Sequence, residues 1–317
     1  VLNLTAGQDT GGQIYRTAQA AERHSSSLII ESYVRGTSYI EWPTAPYVRR
    51  WTTRGEIVAA WRWAEVIHVH NDLRPHDGLR WDNPRPTLIH HHGSKFRAKH
   101  RELVRQIREA RALGAVSTVD LLEYGNPGEL QWLPSPFDVE ALAAIRRRVY
   151  RPDELGRVHI VHAPTNRPLK GTATVLEAIA ALEAQGAPIT FDLIERATWN
   201  DTLERKARAD IFVDQLYLGY GGNAVEAMAM GIPVVAGCPP EYPAILERHS
   251  RRPLPFYRTE PSGLEHVLGR LIESATLRAA WARRGRRYVE AIHDYAPAIA
   301  RLEALYCKAI RRWDGGQ

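Results

Sequence analysis

Cysteine is scarce: Cys238 and Cys307 are the only two among 317 residues. They lie far apart in sequence, which excludes a disulfide framework and a cysteine-built metal set, and both read as reduced structural thiols. Long hydrophobic runs are also missing. No apolar stretch reaches the roughly 18–20 residues that a membrane span needs. No internal repeat and no low-complexity linker stands out. The opening residues, VLNLTAGQDTGG, have no charged n-region and no cleavage-type stretch. They read as a first strand, and a cytoplasmic setting is expected.

What is present is a globular balance, with 44% hydrophobic and 25% charged residues. That excludes disordered and fibrous classes. The length suits two α/β domains better than one core. The formal net charge of +6 favours anionic partners, whether phosphates, acidic glycans, an anionic membrane surface touched peripherally, or nucleic acid. The charge comes in short clusters, Arg146-Arg147-Arg148 and Arg283-Arg284-Gly285-Arg286-Arg287, which read first as solvated helix faces.

Short apolar runs alternate with helical periodicity. Val1–Leu4 reads as a strand, followed by a Gly-rich turn and a helix from about Gly12; Ser27–Glu31 is a second apolar run. Helix is expected over Gly55–Ala64, Lys99–Leu113 and Thr118–Tyr124, and strand over Val66–His70, Pro86–His90 and Gly114–Ser117. The segment Leu133-Pro134-Ser135-Pro136-Phe137-Asp138 reads as a linker, because proline twice in three residues favours extended chain. The rhythm then restarts with strands at His159–His162, Ile189–Ile194, Ile211–Asp214 and Pro233–Ala236. Helices are expected at Thr172–Gln185, at Asn223–Met230 and through most of the tail from Ser262. This is the pattern of two doubly wound α/β domains in series, whose ligands sit beyond the carboxyl ends of the strands.

Polar residues gather at those strand ends. Gly7-Gln8-Asp9-Thr10-Gly11-Gly12-Gln13 joins a strand to a helix. Adjacent glycines permit close backbone approach, and the helix start offers free N–H groups, so the turn suits a phosphate or sugar as well as a mere tight turn. His68-Val69-His70-Asn71 and His90-His91-His92-Gly93 form a second group. Alternate residues on a strand share a face, so His68 and His70 could grip one ion, yet no carboxylate or cysteine at ligand spacing accompanies them and the metal reading is rejected. His70 and His92 are read instead as pointing polar edges toward a ligand, with His90 and His91 as packing residues.

Asn166-Arg167-Pro168-Leu169-Lys170-Gly171-Thr172 follows a strand and opens a helix. Two cations three residues apart make a clamp for a diphosphate, Arg167 as a planar fork and Lys170 as a point charge. The most informative run is Asp214 to Val235. Gly221 and Gly222 lead into a helix whose N–H groups, with Asn223, can cradle phosphate. Glu226 sits one turn inside that helix, where a carboxylate could take both hydroxyls of a ribose.

These residues resemble the GT-B glycosyltransferases, in particular the large retaining group called family 4, or glycosyl transferases group 1. The run from Ala209-Asp210-Ile211 to Val235 is similar to its strand, Gly-rich loop and EA-M-A-x-G-x-PVV signature, and Asp9-Thr10-Gly11-Gly12-Gln13 to its N-terminal Gly-Gly loop. The resemblance implies two Rossmann-like domains facing across a cleft. Residues 1–138 would bind the acceptor, with a final helix over about 296–317 packing back on them. Residues 139–295 would bind the nucleotide sugar. It implies transfer of a sugar from a nucleotide diphosphate to an acceptor hydroxyl with retained configuration, without metal or cofactor. His92, Arg167 and Lys170 would serve catalysis. Gly11, Gly12, Asn166, Arg167, Lys170, Gly221, Gly222, Asn223 and Glu226 would bind the donor. Gln13, His70 and Asn71 would meet an acceptor, whether glycan, lipid, protein or modified nucleic acid. The aromatic and arginine-rich stretch Trp42–Trp63 would add acceptor contacts, with Trp61 and Trp63 expected in the core.

Two departures mark a divergent subgroup. Leu218 stands eight residues before Glu226, where the family carries a Glu, and Arg167 and Lys170 are closer together than is common. Three alternatives belong beside this reading. They are a GT-B-fold sugar-nucleotide epimerase, a nucleic-acid-associated or DNA-modifying protein, and a pseudoenzyme that binds donor without transfer.

Overall fold

The computed structural model describes residues 1–315 except 6, 8, 37–45, 52 and 72–84. Gln8 and Trp42 therefore lie outside the described residues. Two compact units form, Val1–Phe137 with Tyr295–Gln317, and Asp138–Asp294.

The first unit holds strands β1 (Leu2–Thr5), β2 (Glu31–Val34), β3 (Val48–Arg50), β4 (Ile67–His70), β5 (Thr87–His91), β6 (Leu113–Val116) and β7 (Leu130–Trp132). They pair in parallel in the order β3-β2-β1-β4-β5-β6-β7. The direction of travel through the sheet reverses between β1 and β4, the switch point at which such sheets open a crevice beyond their carboxyl ends. Helices α1 (Gln13–His24), α2 (Arg54–Trp63) and α3 (Gly93–Glu109) connect the strands.

The second unit contains β8 (Val158–His162), β9 (Ile189–Leu193), β10 (Ile211–Val213), β11 (Val234–Ala236) and β12 (Tyr257–Arg258), in the parallel order β12-β11-β10-β8-β9. Its switch point lies between β8 and β10. The helices are α4 (Val139–Val149), α5 (Arg167–Lys170), α6 (Thr172–Ala184), α7 (Trp199–Lys206), α8 (Gly222–Ala229), α9 (Tyr242–Ser250), α10 (Leu264–Glu273) and α11 (Ala275–Ile292). Helix α12 (Tyr295–Asp314) belongs to the first unit.

Burial explains the layering. Both sheets are covered on two faces, so their strands read as apolar runs. In the first unit Leu2, Leu4, Ile67 and Val69 pack with Ile57 and Trp61 of α2. On another face Leu88, Leu113 and Ala115 pack with Ala20, Ala21, Tyr295, Ile299, Leu302 and Tyr306. The α12 residues recur at three- and four-residue steps, which puts them on one helical stripe. In the second unit Val158, Ile160, Ile211, Val213 and Val235 pack with Val175 and Ile179 of α6 and with Leu264 and Leu268 of α10. Among the described residues no helix is long and apolar enough to cross a membrane.

Several elements differ from the sequence reading. Helix α3 starts at Gly93 rather than Lys99, because two helical segments join across a kink at Lys99 (φ −128°) and Phe96 of the earlier turn is buried. Of the apolar run Ser27–Glu31 only Glu31 lies in a strand, and residues 27–30 form no regular element. Ser25 Oγ accepts from the amides of Ser27 and Leu28 and donates to Glu303, which holds the chain out of the sheet there. Trp61 is buried as expected, but Trp63 is 51% exposed, because the inward stripe of α2 is Ile57, Ala60, Trp61 and Ala64. Arg146 is not a solvated charge either: its guanidinium donates to the carbonyls of Ala207 and Ala209 at 2.7 Å each.

Candidate functional site

In the second unit the polar residues converge beyond β8 and β10, at the switch point. Asn166 caps α5, its Oδ1 accepting from the Leu169 amide at 3.1 Å. Gly171 then takes a left-handed turn (φ 73°), and a Cβ there would lie 3.0 Å from the Leu216 side chain. This turn aims Lys170 at Asp214, the residue that follows β10. Lys170 Nζ lies 3.0 Å from Asp214 Oδ1, and the Gly221 amide donates to Asp214 Oδ2 at 2.7 Å. Lys170 and Asp214 are both largely buried, with side chains 14% and 2% exposed. A Cβ at Gly221 would stand in van der Waals contact with Lys170 Nζ at 3.4 Å and Asp214 Oδ2 at 3.5 Å, so the loop packs directly on the pair. An ammonium and a helix-start amide thus share one carboxylate, which is the geometry of an anion cradle.

Arg167 is placed differently. It forks onto Glu195 at 2.7 and 2.6 Å, with its side chain 54% exposed. The Glu195 partner pushes the guanidinium pKa up, and Arg167 pulls that of Glu195 down.

Glu226 lies on α8, 3% exposed, against Lys206, which is wholly buried. Lys206 donates to Glu226 Oε2 at 2.6 Å and to Asn223 Oδ1 at 2.8 Å, while Trp199 Nε1 donates to Glu226 Oε1 at 2.9 Å. Asn223 Nδ2 donates to the Ala163 carbonyl at 2.9 Å. The acid expected to meet a ribose is therefore held by an ammonium and an indole of its own unit. Gly222 and Asn223 open α8, so their amides lie in its first turn.

In the first unit Gly11 and Gly12 both have left-handed backbones (φ 64° and 68°) ahead of α1. Asp9 caps that helix, its carboxylate accepting from the amides of Ile14 at 2.8 Å and Tyr15 at 3.0 Å. Burial raises the Asp9 pKa, opposed by those backbone bonds. Gln13 is buried beside the turn.

His70, Asn71 and His92 are brought together, but their ring edges do not face open solvent. Both rings are buried, and His70 Nδ1 lies 2.8 Å from His92 Nε2. Asn71 adopts φ 65° and its Oδ1 accepts from the His92 amide at 2.8 Å. Asn3 of β1 orders the chain. Its Nδ2 donates to Ser32 Oγ at 3.0 Å and to the Ile14 carbonyl at 3.4 Å, which leaves Oδ1 to accept from His70 Nε2 at 2.8 Å. Assigned from these partners, His70 carries its proton on Nε2, so its Nδ1 accepts from His92 Nε2–H. Burial is the main cause that pulls the pKa of His68 down to about 3 and those of His70, His90 and His92 well below the usual imidazole value.

The parallel register sets His70 opposite His90. One ring nitrogen from each of His68, His70 and His90 then falls within 4.8 Å of the others. Spacing along a single strand showed only the first two. Asn3, Glu195, Trp199, Lys206 and Asp214 were likewise absent from the expected site. Two had a legible signal: Asn3 interrupts an apolar strand, and Lys206 recurs with Leu203 and Ala207 on the inward stripe of α7.

No protein-family model matches the chain. It is 26% identical over 243 residues to the MMP α-(1→4)-mannosyltransferase of Mycolicibacterium hassiacum, covering 67% of this chain and 57% of that enzyme. The chain thus spans little more than half the length of that curated relative. A sucrose-phosphate synthase from Thermosynechococcus elongatus superposes with a TM-score of 0.66 at 16% identity, covering 97% of this chain and 98% of that one. Alr3699/HepE from Anabaena, solved in complex with UDP, gives 0.63 at 14% identity over 97% and 99%. With parallel sheets of seven and five strands in two Rossmann-like units, the chain has the GT-B fold of these solved structures.

Proposed function

We propose that the chain transfers a sugar from a nucleotide diphosphate sugar to an acceptor hydroxyl, as a retaining, family 4-like enzyme. The observation that carries this reading is the pairing of Lys170 and the Gly221 amide on one anionic group at the switch point of the five-stranded sheet. The relatives support it: one is named a mannosyltransferase and another was solved with UDP.

In this reading the second unit holds the donor. Lys170, Arg167 and the amides that open α8 take the diphosphate, and their fixed positive charge stabilises the negative charge that builds as the sugar departs. Side chains and amides, rather than a metal ion, then neutralise the leaving group. The Arg167–Glu195 pair is solvated and worth little as a surface bond, so its guanidinium exchanges readily for a phosphate. The departing phosphate accepts the acceptor's proton while the hydroxyl attacks the same face of the sugar. In the first unit Gly11 and Gly12 are the candidates for the donor, His92 for catalysis, and Gln13, His70 and Asn71 for the acceptor.

Calorimetry with UDP and GDP on Lys170→Ala and Arg167→Ala tests the assignment. Losing a charged hydrogen bond costs about 1.5–3 kcal/mol, so each variant should bind the preferred nucleotide at least roughly tenfold more weakly while its circular dichroism stays unchanged. Unchanged affinity in both would sink the donor site. A second reading, donor binding without transfer, is favoured by Leu218 and by the internal pairing of Glu226. Diphosphate release from a panel of sugar nucleotides and acceptors separates the two.

A further inference from the structure

Four buried histidines stack beneath the strand ends of the first unit. Ring centroids of His68 and His70 lie 4.3 Å apart, those of His70 and His90 5.3 Å, and those of His90 and His92 4.3 Å. Two of these rings have one nitrogen fixed from outside the cluster. His68 Nδ1 meets the Tyr306 hydroxyl of α12 at 2.9 Å, and His70 Nε2 meets Asn3 Oδ1 at 2.8 Å. The inward nitrogens are poorly served. Among the described residues His68 Nε2, both nitrogens of His90 and Nδ1 of His92 are buried without a hydrogen-bond partner. The Leu133 backbone interacts with His90 as well and opposes the fall of its pKa. Buried polar atoms are ordinarily hydrogen-bonded, so unserved nitrogens on both His68 and His90 call for a partner between them.

We propose that His68, His70 and His90 form a buried structural site for a divalent transition-metal ion, with zinc as the first expectation. The sequence reading rejected a metal because no carboxylate or cysteine accompanies His68 and His70; the parallel register supplies a third imidazole instead, bringing His90 of β5 to His70 of β4. An all-imidazole set suits zinc, copper or nickel rather than calcium or magnesium. Zinc wants nitrogen ligands at about 2.0–2.1 Å, hence nitrogens about 3.4 Å apart, so modest ring rotation from the present spacing closes the site. Tyr306 and Asn3 already hold the far nitrogens of His68 and His70, the arrangement that orients metal-bound imidazoles. His70 Nδ1 would exchange its bond from His92 for the ion. The ion would then tie β4 to β5 and, through Tyr306, both to α12. It would lie in the core of the first unit and hold in place His70, an acceptor candidate of the proposed transfer.

The test uses untagged full-length protein produced in zinc-supplemented medium. Elemental analysis after gel filtration should find about one zinc per chain, and His90→Gln and His68→Gln should hold less than about a tenth of that. Metal-stripped wild type should regain thermal stability with added zinc, and tetrahedral visible absorption with added cobalt. Ring nitrogen NMR signals of His68, His70 and His90 should shift together in the same titration, a readout that needs no variant to fold. A wild type that carries no metal and responds to neither ion would overturn the site, leaving a histidine core served by water. Full zinc retention in His90→Gln would overturn it equally.

Discussion

Removing the Lys206 ammonium should be among the costliest single changes in the second unit. Lys206 is fully buried and lies 2.6 Å from Glu226 Oε2, with Glu226 itself 3% exposed. Lys206→Met keeps the side-chain volume but strands the carboxylate, whose other bond comes from the Trp199 indole at 2.9 Å. Breaking one partner of such a pair costs about 3–5 kcal/mol. In a domain of about 150–250 residues each kcal/mol moves Tm by about 2–4 °C, so the transition of this unit should fall by roughly 6–20 °C. The double variant Lys206→Met with Glu226→Gln removes both charges, keeps an acceptor for Trp199, and should recover to within about 1–2 kcal/mol of wild type. Differential scanning calorimetry measures both, and the cycle isolates the pair. A single variant within about 1 kcal/mol of wild type, or a double variant no better than the single, refutes the reasoning. Glu226→Ala is correspondingly a poor probe of ribose binding, because it leaves a buried ammonium with Asn223 Oδ1 alone of the two acceptors described; Glu226→Gln is the variant to use.

Gly219→Ala should destabilise the protein and weaken nucleotide binding together. Its backbone is left-handed (φ 81°) and a Cβ would fall 2.3 Å from the ring of the buried Tyr242, displacing the loop that carries the Gly221 amide. Gly269→Ala, inside α10 with open space around it, should instead stabilise by about 0.5–1 kcal/mol, and thermal melts of the pair check both signs. Acid should also weaken the second unit. His162 donates from Nδ1 to the Val213 carbonyl at 2.9 Å and accepts from Thr172 Oγ1 at 3.0 Å. Burial is the leading cause that lowers its folded pKa below the ordinary imidazole value. Below about pH 6.5 the unfolded chain binds the extra proton, so this contribution to stability is complete above that pH and is lost as pH falls toward the folded pKa. Urea midpoints of wild type and His162→Gln between neutral and mildly acid pH should converge; a constant gap would show that His162 does not drive the dependence.

The doubly wound architecture was legible because apolar runs end in glycine, proline or polar clusters, and those punctuations fall at β1, β4, β8 and β10. What escaped notice was short or set by distant partners. The three-residue strands β3 and β7 carry no periodicity long enough to read. The extended-looking run Ser27–Ile30 is kept from the sheet by Glu303, 276 to 278 residues away. At the candidate site, loop chemistry named Arg167, Lys170 and Glu226 and missed their counter-charges. Asp214 is 44 residues from Lys170, Glu195 is 28 from Arg167 and Lys206 is 20 from Glu226. No local spacing encodes such pairs, because they form between the ends of neighbouring strands and helices.

Those counter-charges divide the expected donor residues by how readily a ligand can take them over. An incoming diphosphate must replace the existing partner's bonds, and the cost of that exchange rises as water is excluded, because a displaced group that stays buried is left unpaired. Arg167 and Glu195 are part solvated, so both partners are rehydrated when the pair opens. Lys170 is intermediate: its ammonium keeps 14% exposure, and donors left over after Asp214 can still meet a phosphate oxygen. Lys206 and Glu226 lie at the far end, where opening the pair strands two buried charges. A ribose hydroxyl can therefore add to Glu226 only as a further donor to a carboxylate that stays bonded to Lys206, with Trp199 the partner able to give way at lower cost. By this ordering Arg167 and Lys170 would adjust to a diphosphate in the proposed reading, while the buried Glu226–Lys206 pair and Asn223 hold the start of α8.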